Sequence, residues 1–270
     1  MTRLKLEAQP TAPLEASVLT PDALMEKTAA EIAALPVTHG NAQVRLGEFF
    51  AVEGDGSADL ILEGDLRRVK QIGAGMTRGS IAIRGDVGMH LGAGMRGGEI
   101  VVYGNAGDWA GAELRGGRIH IKGNAGHGLG GAYRGSRHGM NRGIIVVEGN
   151  AGNETGALMR RGLIAVLGDV GDFAGAFMIA GTIVVLGQTG ARPGAGMKWG
   201  TILTYHRPEL LPTFHYDCIY RPSFLPLLLR GLRTLDIRIP DEYLEGSYRR
   251  YSGDFTALGK GEILVWEGQG

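Results

Sequence analysis

The stretch GDVGMHLGAGMRGGEIVVY at residues 85–103 is followed directly by GNAGDWAGAELRGGRIHIK at residues 104–122. Each stretch has 19 residues, begins with glycine and ends in alternating β-branched residues. The pattern occurs seven times along the chain, at spacings of 21, 19, 19, 26, 19 and 19 residues. The copies begin at Gly64, Gly85, Gly104, Gly123, Gly149, Gly168 and Gly187. Such an internal repeat predicts a stack of similar structural units.

The end of each copy has the period of two that is typical of a strand with one buried face. The alternating positions are Ile81 and Ile83, Ile100 and Val102, Ile119 and Ile121, Ile145 and Val147, Ile164 and Val166, Ile183 and Val185, and Ile202 and Thr204. A second recurring position is occupied by Met76, Met95, Leu114, Met140, Met159, Met178 and Met197. Because these side chains recur at the same place in every copy, we expect them to stack and fill the interior.

A unit of 19 residues is too short for a strand-helix-strand crossover, which needs roughly 30 residues. Glycines three residues after each opening glycine, such as Gly88 and Gly107, indicate tight corners. The sequence therefore predicts an all-β protein, a parallel β-helix of about seven coils with a short α-helical N-terminal segment and an irregular C-terminal cap. The predicted parts are an N-terminal strand and helix cap at 1–57, the glycine-rich β-helix at 58–205 and a C-terminal cap segment at 206–270.

The flanking segments carry their own local signals. Thr20 before Pro21 is typical of a helix start, and Thr28 with Glu31 forms a capping-box pattern. Further predicted elements are strands at 44–46, 49–52, 60–62 and 263–266, an irregular segment at 206–226 and a short helix at 227–232.

The composition of the chain bears on its binding partners and on its cellular compartment. The chain has 28 basic and 28 acidic residues, so its formal net charge of zero indicates neither nucleic acid nor an anionic membrane as a partner. No apolar run approaches the roughly 18 residues of a membrane helix, and the N-terminal residues do not resemble a signal peptide. We therefore expect a cytoplasmic protein. The single cysteine, Cys218, excludes an internal disulfide and an iron–sulfur site supplied by this chain alone.

The residue after each opening glycine is acidic or an amide, which raises the question of a cation-binding column. These residues are Asp65, Asp86, Asn105, Asn124, Asn150, Asp169 and Gln188. Amides interrupt the carboxylates, and no nonapeptide calcium repeat is present. We therefore predict no metal site and expect these side chains to hydrogen-bond the backbone of neighbouring turns.

The fourth copy is longer by seven residues, and the excess lies within residues 131–138. Insertions in stacked repeats leave the stack as loops, often on a binding face. This loop and its continuation carry Tyr133, Arg134, Arg137, His138, Asn141 and Arg142. Aromatic and arginine side chains suit a protein interface or an anionic group such as a carboxylate or phosphate, and a solvated loop without a role is the alternative.

The positions beside the core residues change character along the chain. They are polar in the early copies and apolar in the later ones, where they include Leu163, Leu167, Val184 and Leu186. A strand face in contact with water should not be apolar. We therefore expect this face to be covered, either by the terminal segments or by another protein chain, and we assign these four residues to the predicted interface.

No catalytic constellation is predicted. Glycines at 92, 94 and 97 and at 126, 128 and 131 match a dinucleotide-binding pattern, but the repeat produces this spacing by itself and no helix follows. His215 and Cys218 are close in sequence and leave a nucleophile or metal site as an alternative to a structural role.

The repeat G-[DN]-x-G-x-x-x-G-A-x-M-x-x-G-x-I-x-[IV] resembles the glycine-rich C-terminal domain of glutamate synthase. Three further stretches extend a resemblance over nearly the whole chain, to the C subunit of formylmethanofuran dehydrogenase and of the related bacterial formyltransferase/hydrolase complex. They are LPVTHGNAQVRLGEFFAVEG at 35–54, RGSRHGM at 134–140 and RYSGDFTALGKGEILVWEG at 250–268.

The resemblance implies a right-handed β-helix that is a non-catalytic scaffold in a hetero-oligomer. Its implied partners are the amidohydrolase-like A subunit, the B subunit and the formyltransferase or D subunit of the complex. The family's catalytic metal ligands lie on the amidohydrolase-like partner, so this chain is expected to bind no cofactor itself. The complex would use tetrahydromethanopterin and a methanofuran analogue, moving a formyl group between them and hydrolysing it to formate in one-carbon metabolism.

Three alternatives remain open at this point. The first is the C subunit of an archaeal tungsten or molybdenum formylmethanofuran dehydrogenase, although the long tail at 206–270 and the Ala- and Arg-rich sequence favour the bacterial complex. A stand-alone docking domain like that of glutamate synthase is the second alternative. The third is an enzyme with a catalytic outer groove, as in pectin-degrading β-helices, although the paired acidic residues that such a groove requires are not evident.

Overall fold

A computed structural model describes residues 1–235 and 237–268 of the protein. The strands are β1 (Thr2–Leu6), β2 (Leu14–Glu15), β3 (Pro36–His39), β4 (Ala42–Arg45), β5 (Phe50–Glu53), β6 (Asp59–Glu63), β7 (Val69–Lys70), β8 (Ser80–Arg84), β9 (Glu99–Val102), β10 (Arg115–Ile121), β11 (Arg142–Val147), β12 (Leu163–Val166), β13 (Thr182–Val185), β14 (Thr201–Thr204), β15 (His215–Tyr220), β16 (Ser247–Gly253) and β17 (Gly261–Gly268). The helices are α1 (Pro21–Leu24), α2 (Ala29–Ala33), α3 (Leu225–Arg233) and α4 (Glu242–Glu245), with a 3₁₀ turn at Leu46–Glu48.

Most strands belong to one large mixed sheet. Its 13 strands lie in the order β15-β16-β17-β14-β13-β12-β11-β10-β9-β8-β6-β1-β5. In this order, the strands from β17 to β1 pair in parallel with one another. Strand β5 at one end pairs antiparallel with β1, and at the other end β15 pairs antiparallel with β16, and β16 with β17. A second sheet has four short strands in the order β4-β3-β2-β7.

The predicted right-handed parallel β-helix of about seven coils is wrong, because the structure is this 13-stranded mixed sheet with a small second sheet. Each repeat gives one strand to the large sheet. The other recurring pairing between successive repeats is an isolated bridge of single residues, at Leu66, Val87, Ala106, Ala125, Ala151, Val170 and Thr189. Glycine-rich turns occupy most of each remaining repeat segment, so these bridges do not extend into a second long parallel sheet within the described residues.

The predicted stacking of equivalent side chains is confirmed. Ile100 lies opposite Ile81 in one neighbouring strand and opposite Ile119 in the other. The same register continues through the later repeats, and the stacked isoleucines are buried. Met95, Met159 and the equivalent side chains are buried in the same core. Each fully buried aliphatic side chain contributes about 1.5–3 kcal/mol to folding, so the repeated columns are the main source of stability.

The acidic and amide residues at the turns form a hydrogen-bonded column, as predicted. The backbone N–H of Asn105 donates to Asp86 Oδ1 over 2.7 Å, and the N–H of Asn124 donates to Asn105 Oδ1 over 2.8 Å. The pattern continues through Asn150, Asp169 and Gln188. From Asp86 to Asp169, each side-chain Oδ1 therefore satisfies a backbone donor of the next turn, which joins successive repeats outside the sheet. Asp65 instead accepts from the N–H of Arg67 in its own turn.

The N-terminal helices begin where their sequence signals predict. Thr20 Oγ1 accepts from the N–H of Ala23, and Thr28 with Glu31 forms the expected capping box. The sequence prediction misses β1, which adds parallel to β6, and β15, which lies in the segment expected to be irregular. None of the described helices is long and apolar enough to cross a membrane.

The C-terminal segment covers the apolar outer face of the later strands. Val146, Ala165, Val184 and Leu203 on this face are at most 2% exposed. They form a second hydrophobic cluster with residues of the C-terminal segment, namely Leu225, Leu229, Leu232, Ile237, Ile239, Leu244 and Tyr248. The sequence left open whether the terminal segments or another protein chain cover this face. In the structure the C-terminal segment covers it.

Candidate interaction surface

The insertion of the fourth repeat is a loop between β10 and β11. It leaves the stack at Ala132, whose N–H donates to the carbonyl of Ala157 over 3.2 Å. It returns at Gly139 and Met140, whose N–H groups donate to the carbonyls of Leu158 over 2.9 Å and Gly130 over 2.8 Å. The hydrogen bonds between repeats therefore resume immediately after the loop, so the extra residues project without interrupting the stack.

Three cavities meet around this loop, and Ser136 lines all of them. The first has a volume of about 340 Å³ and is bordered by aromatic residues, the second has about 270 Å³ and is bordered by charged residues, and the third has about 410 Å³ and joins the two types of surface. We call the residues that line these three cavities the insertion surface. A concave, mixed surface of this kind is typical of a recognition site.

Aromatic side chains form the apolar part of the insertion surface. Trp109, Tyr133, Phe173 and Phe177 line the 340 Å³ cavity together with Leu158. The ring centroids of Trp109 and Tyr133 are 5.4 Å apart, a distance at which aromatic pairs attract. Phe177 remains 61% exposed, so a large apolar ring faces solvent beside the loop.

Several of these side chains project from turns with left-handed backbone. Trp109 has φ of 62°, Phe173 of 61° and Phe177 of 53°, values that are uncommon for bulky residues. A Cβ atom at Gly196 would lie 2.6 Å from Cδ1 of Phe177, and one at Gly128 would lie 2.7 Å from Cε3 of Trp109. The rings therefore lie across glycines of the next repeat, which have no side chain to displace them.

The Tyr133 hydroxyl is anchored beside the cavity. Its Oη lies 2.9 Å from Nδ1 of His90, within hydrogen-bonding distance. Burial raises the pKa of Tyr133, and burial together with the nearby Lys70 lowers the pKa of His90. Both side chains are therefore neutral near pH 7, and the pair fixes the position of the ring without adding charge.

Basic side chains surround the other two cavities. Arg115, Arg160 and His138 line the 270 Å³ cavity, and Arg137 and Lys198 line the 410 Å³ cavity. Arg160 Nη1 lies 3.0 Å from His138 Nε2, to which it can donate a hydrogen bond. A partner that brings acceptors or carboxylates would therefore find several donors on one surface.

The residues assigned to an interface from the sequence fall into two groups. Tyr133, Arg134, Arg137, His138 and Asn141 line the cavities. Arg142 follows as the first residue of β11 and is exposed.

The second group lies elsewhere. Val184 is fully buried in the cluster beneath the C-terminal segment, and Leu163, Leu167 and Leu186 pack against that cluster while partly buried. The structure therefore does not bring the two groups onto one surface. A contact of either group with another protein chain stays a prediction.

The sequence interpretation missed Trp109, Phe173, Phe177 and Arg160 as members of this surface. A signal was present at Phe177, because some other repeats have glycine at the equivalent position, as at Gly94 and Gly196. A bulky residue in place of a turn glycine must project outward, which the repeat alignment alone could have indicated.

The remaining candidate for chemistry is the pair His215 and Cys218, both of which lie in β15. Cys218 is exposed, and Asp217 next to it accepts a hydrogen bond from the Ser252 hydroxyl over 2.5 Å. Throughout residues 1–235 and 237–268, no group of three or more His, Cys, Asp and Glu side chains is arranged to hold a metal ion.

Comparison with known proteins gives both partial and whole-length similarities. A family model described as the GXGXG motif matches residues 99–214. The C subunit of the tungsten-containing formylmethanofuran dehydrogenase 2 of Methanothermobacter thermautotrophicus is 42% identical over 88 residues, which are 31% of this chain and 33% of that protein. The C subunit of the formyltransferase/hydrolase complex Fhc of Methylorubrum extorquens is 40% identical over 91 residues, 34% of each chain.

These alignments span about a third of the length of the curated relatives. The similarity to a solved structure is more extensive. A chain in the crystal structure of the formyltransferase/hydrolase complex FhcABCD from Methylorubrum extorquens, in complex with methylofuran, is 38% identical with a TM-score of 0.91. The match covers 97% of the present chain and 98% of that chain.

Proposed function

The chain belongs to the family formed by the C subunits of the Fhc complex and of formylmethanofuran dehydrogenase, and we propose that it is a non-catalytic structural component of a formyltransferase/hydrolase complex. In this role it holds together an amidohydrolase-like A subunit, a B subunit and a formyltransferase D subunit. The complex transfers a formyl group from formyl-tetrahydromethanopterin to a methanofuran analogue and hydrolyses it to formate. The catalytic metal belongs to the amidohydrolase-like partner.

One observation carries this proposal, namely the whole-length match to a chain of the crystallised FhcABCD complex. A match confined to the glycine-rich repeat would support only a shared fold. The match over 97% of the chain instead includes both flanking segments, whose sequences are not set by the repeat. Agreement in the repeat and in both flanks supports a shared role in an assembly.

The use of polar side chains inside the protein supports a structural rather than a catalytic role. Asp254 is 3% exposed, and its carboxylate accepts hydrogen bonds from the backbone N–H groups of Gly196 and Thr256 over 2.9 and 2.8 Å. The bond from Gly196 connects the C-terminal segment to the last repeat. His120 lies 2.9 Å from Glu148, which also accepts from Lys122. These polar groups thus join neighbouring elements.

A second candidate has a specific observation in its favour. The partial alignment with the C subunit of the tungsten-containing formylmethanofuran dehydrogenase is as close as the one with its Fhc counterpart. The chain would then be the structural component of a tungsten or molybdenum enzyme. The whole-length match to the FhcABCD chain favours the first candidate.

Purification of the affinity-tagged chain from its native host tests both candidates. We expect an amidohydrolase, a formyltransferase and a further protein to co-purify in equal amounts, with formyl transfer and hydrolysis in the eluate. An eluate that contains tungsten or molybdenum and oxidises formylmethanofuran would favour the second candidate. A solitary chain that hydrolyses a substrate by itself would contradict the proposal.

Production of the complex without this chain tests whether its role is structural or catalytic. When the other components are produced together without this chain, we expect them not to form the full assembly, while the isolated hydrolase retains its metal. Full assembly and full activity without the chain would contradict a structural role. The matched control is the same co-production with the wild-type chain added back.

A further inference from the structure

The insertion surface combines an exposed apolar side with a strongly basic side. Phe177 lies where these sides meet, because it lines both the aromatic cavity and the cavity that contains Arg137 and Lys198. At 61% exposure its ring gains free energy when another apolar group covers it. Aromatic residues in this setting are typical energetic centres of protein interfaces.

The cations of this surface are not neutralised by the chain itself. The positively charged residues are Arg115, Arg134, Arg137, Arg160 and Lys198. Within residues 1–235 and 237–268, none of these five forms a salt bridge. The carboxylates that line the same cavities are Glu113 and Glu154. The surface therefore has an excess of positive charge in a protein whose formal net charge is zero.

The exposed apolar ring and the free cations together fit a peptide better than a small ion. A peptide can cover the ring of Phe177 and bring carboxylates to the cations, whereas a small ion can only pair with the charges.

We propose that the insertion surface docks an acidic segment of another protein of the complex, with one aromatic or branched apolar side chain of that segment in the cavity between Tyr133 and Phe177. Carboxylates on either side of this anchor pair with Arg134 and Arg137. The inference rests on the proposed function, because it assumes that the chain works inside a hetero-oligomer. It adds which surface makes the contact and which chemistry the partner presents.

A second copy of this chain does not fit the surface in a two-fold arrangement. In such a dimer each surface contacts the same surface of the other copy. The loop arginines Arg134 and Arg137 would then face an equally basic surface, with repulsion that no carboxylate of the loop offsets. Charge complementarity therefore favours a different, acidic chain.

Site-specific cross-linking in the intact complex tests the docking. The tagged chain carries the photoreactive amino acid p-benzoylphenylalanine in place of Phe177, and the complex is purified from its host and irradiated. We expect a cross-link to one partner protein, within a segment that has an apolar residue flanked by Asp or Glu. The matched control places the same photoreactive residue at Tyr103, which is 60% exposed and lies outside the insertion surface.

Charge reversal provides the second measurement. The double variant Arg134→Glu/Arg137→Glu is compared with Lys5→Glu/Arg207→Glu, which makes the same change in net charge at exposed residues elsewhere. We expect the dissociation constant for the cross-linked partner to rise at least about tenfold in the first variant and to stay near the wild-type value in the second. Circular dichroism of both variants verifies that the chain is folded.

The outcomes separate this inference from the proposed function. A complex that forms normally while Phe177 cross-links to no partner protein, or only to a second copy of this chain, overturns the docking inference and leaves the structural role intact. Equal binding by the two charge-reversal variants also overturns it. A chain that purifies without any other protein of the complex overturns the proposed function, and with it the inference.

Discussion

Gly94 and Gly98 show how two glycines of one repeat can differ in their structural role. Both have positive φ, at 64° and 81°. A Cβ atom at Gly94 would have no neighbour within 4 Å, whereas one at Gly98 would lie 2.6 Å from the carbonyl oxygen of Gly79. At Gly98 the stacking of repeats itself excludes a side chain, and at Gly94 only the backbone conformation favours glycine.

The substitutions Gly94→Ala and Gly98→Ala test this difference. We expect Gly94→Ala to lower the free energy of unfolding by about 1 kcal/mol, the cost of a left-handed alanine. Gly98→Ala should cost several times more, because the new methyl group forces two repeats apart. Denaturant titration measures both values with the other variant as control, and equal losses would show that packing between repeats adds nothing at Gly98.

His120 makes the stability of the fold depend on pH. Its side chain is buried on the outer face of the large sheet, and burial together with Lys122 lowers its pKa below 6.5. The unfolded chain therefore takes up a proton at a higher pH than the folded chain. Stability linked to His120 is complete above pH 6.5 and decreases as the pH falls from 6.5 towards the lowered pKa.

The variant His120→Gln removes this titration and keeps a hydrogen-bond donor to Glu148. We expect the free energy of unfolding of the wild type to fall more steeply than that of the variant between about pH 6.5 and pH 5. Denaturant titrations at several pH values measure the slopes. The reference is about pH 8, where the imidazole is neutral in both states. Parallel curves for the two proteins would contradict a lowered pKa.

At the scale of elements, helix α3 packs against the large sheet through one of its faces. Leu225, Leu229 and Leu232 are at most 1% exposed and pack on the later strands, while Leu227 is 79% exposed. The helix has nine residues, too short to be stable alone in water, so its formation depends on this packing.

Two leucine substitutions within α3 test its role as a cover. We expect Leu229→Ala to lower the free energy of unfolding by about 2–5 kcal/mol, because it leaves a cavity against the sheet. Leu227→Ala should change it by less than about 0.5 kcal/mol. Chemical denaturation of both variants measures the difference. A similar small effect at both positions would mean that α3 does not protect the apolar face.

The elements differ in how well the sequence predicts them. α1 and α2 are predictable because their caps are local, with Thr20 and Thr28 bonding three residues ahead. β1 has the alternation of a strand with one buried face, since Leu4 and Leu6 are buried and Lys5 is exposed, so its own residues could have revealed it. β15 is not predictable from its own residues, because it forms by pairing with β16. β15 is also exposed along most of its length, so it lacks the alternation that reveals a buried face.

At the scale of the whole molecule, the insertion is separable from the stack. Removal of residues 132–138 would restore the 19-residue spacing of the neighbouring repeats. The hydrogen bonds that Gly139 and Met140 donate to Leu158 and Gly130 involve no deleted residue. The loop therefore contributes surface rather than architecture, since shortening a loop changes its closure entropy only slightly.

The deletion of residues 132–138 should accordingly leave one cooperative unfolding transition, while binding to the docked partner falls at least about tenfold. Calorimetry and a binding titration measure the two properties on the same preparation. The control is the wild-type chain at equal concentration. A deletion variant that stays folded and binds with unchanged affinity would show that the loop takes no part in assembly.

The sequence by itself determined the repeat, the register of its strands and the stacked aliphatic core, because these follow from a period that is repeated at fixed positions. It also determined the place of the insertion and several of its charged residues. It did not determine the fold class. Outside the large sheet, β-bridge pairing between repeats is limited to single residues such as Val87 and Ala106, and antiparallel strands complete both ends of one mixed sheet.

Only the tertiary structure decided which surfaces are free. It covered the apolar face at Val184 with the chain's own C-terminal segment, and it assembled Trp109, Tyr133 and Phe177 from three different repeats. Both outcomes depend on contacts between residues far apart in sequence. Local structural propensity and the repeat period carry no information on such contacts. These contacts contribute free energy only after the repeats have stacked and brought distant residues together.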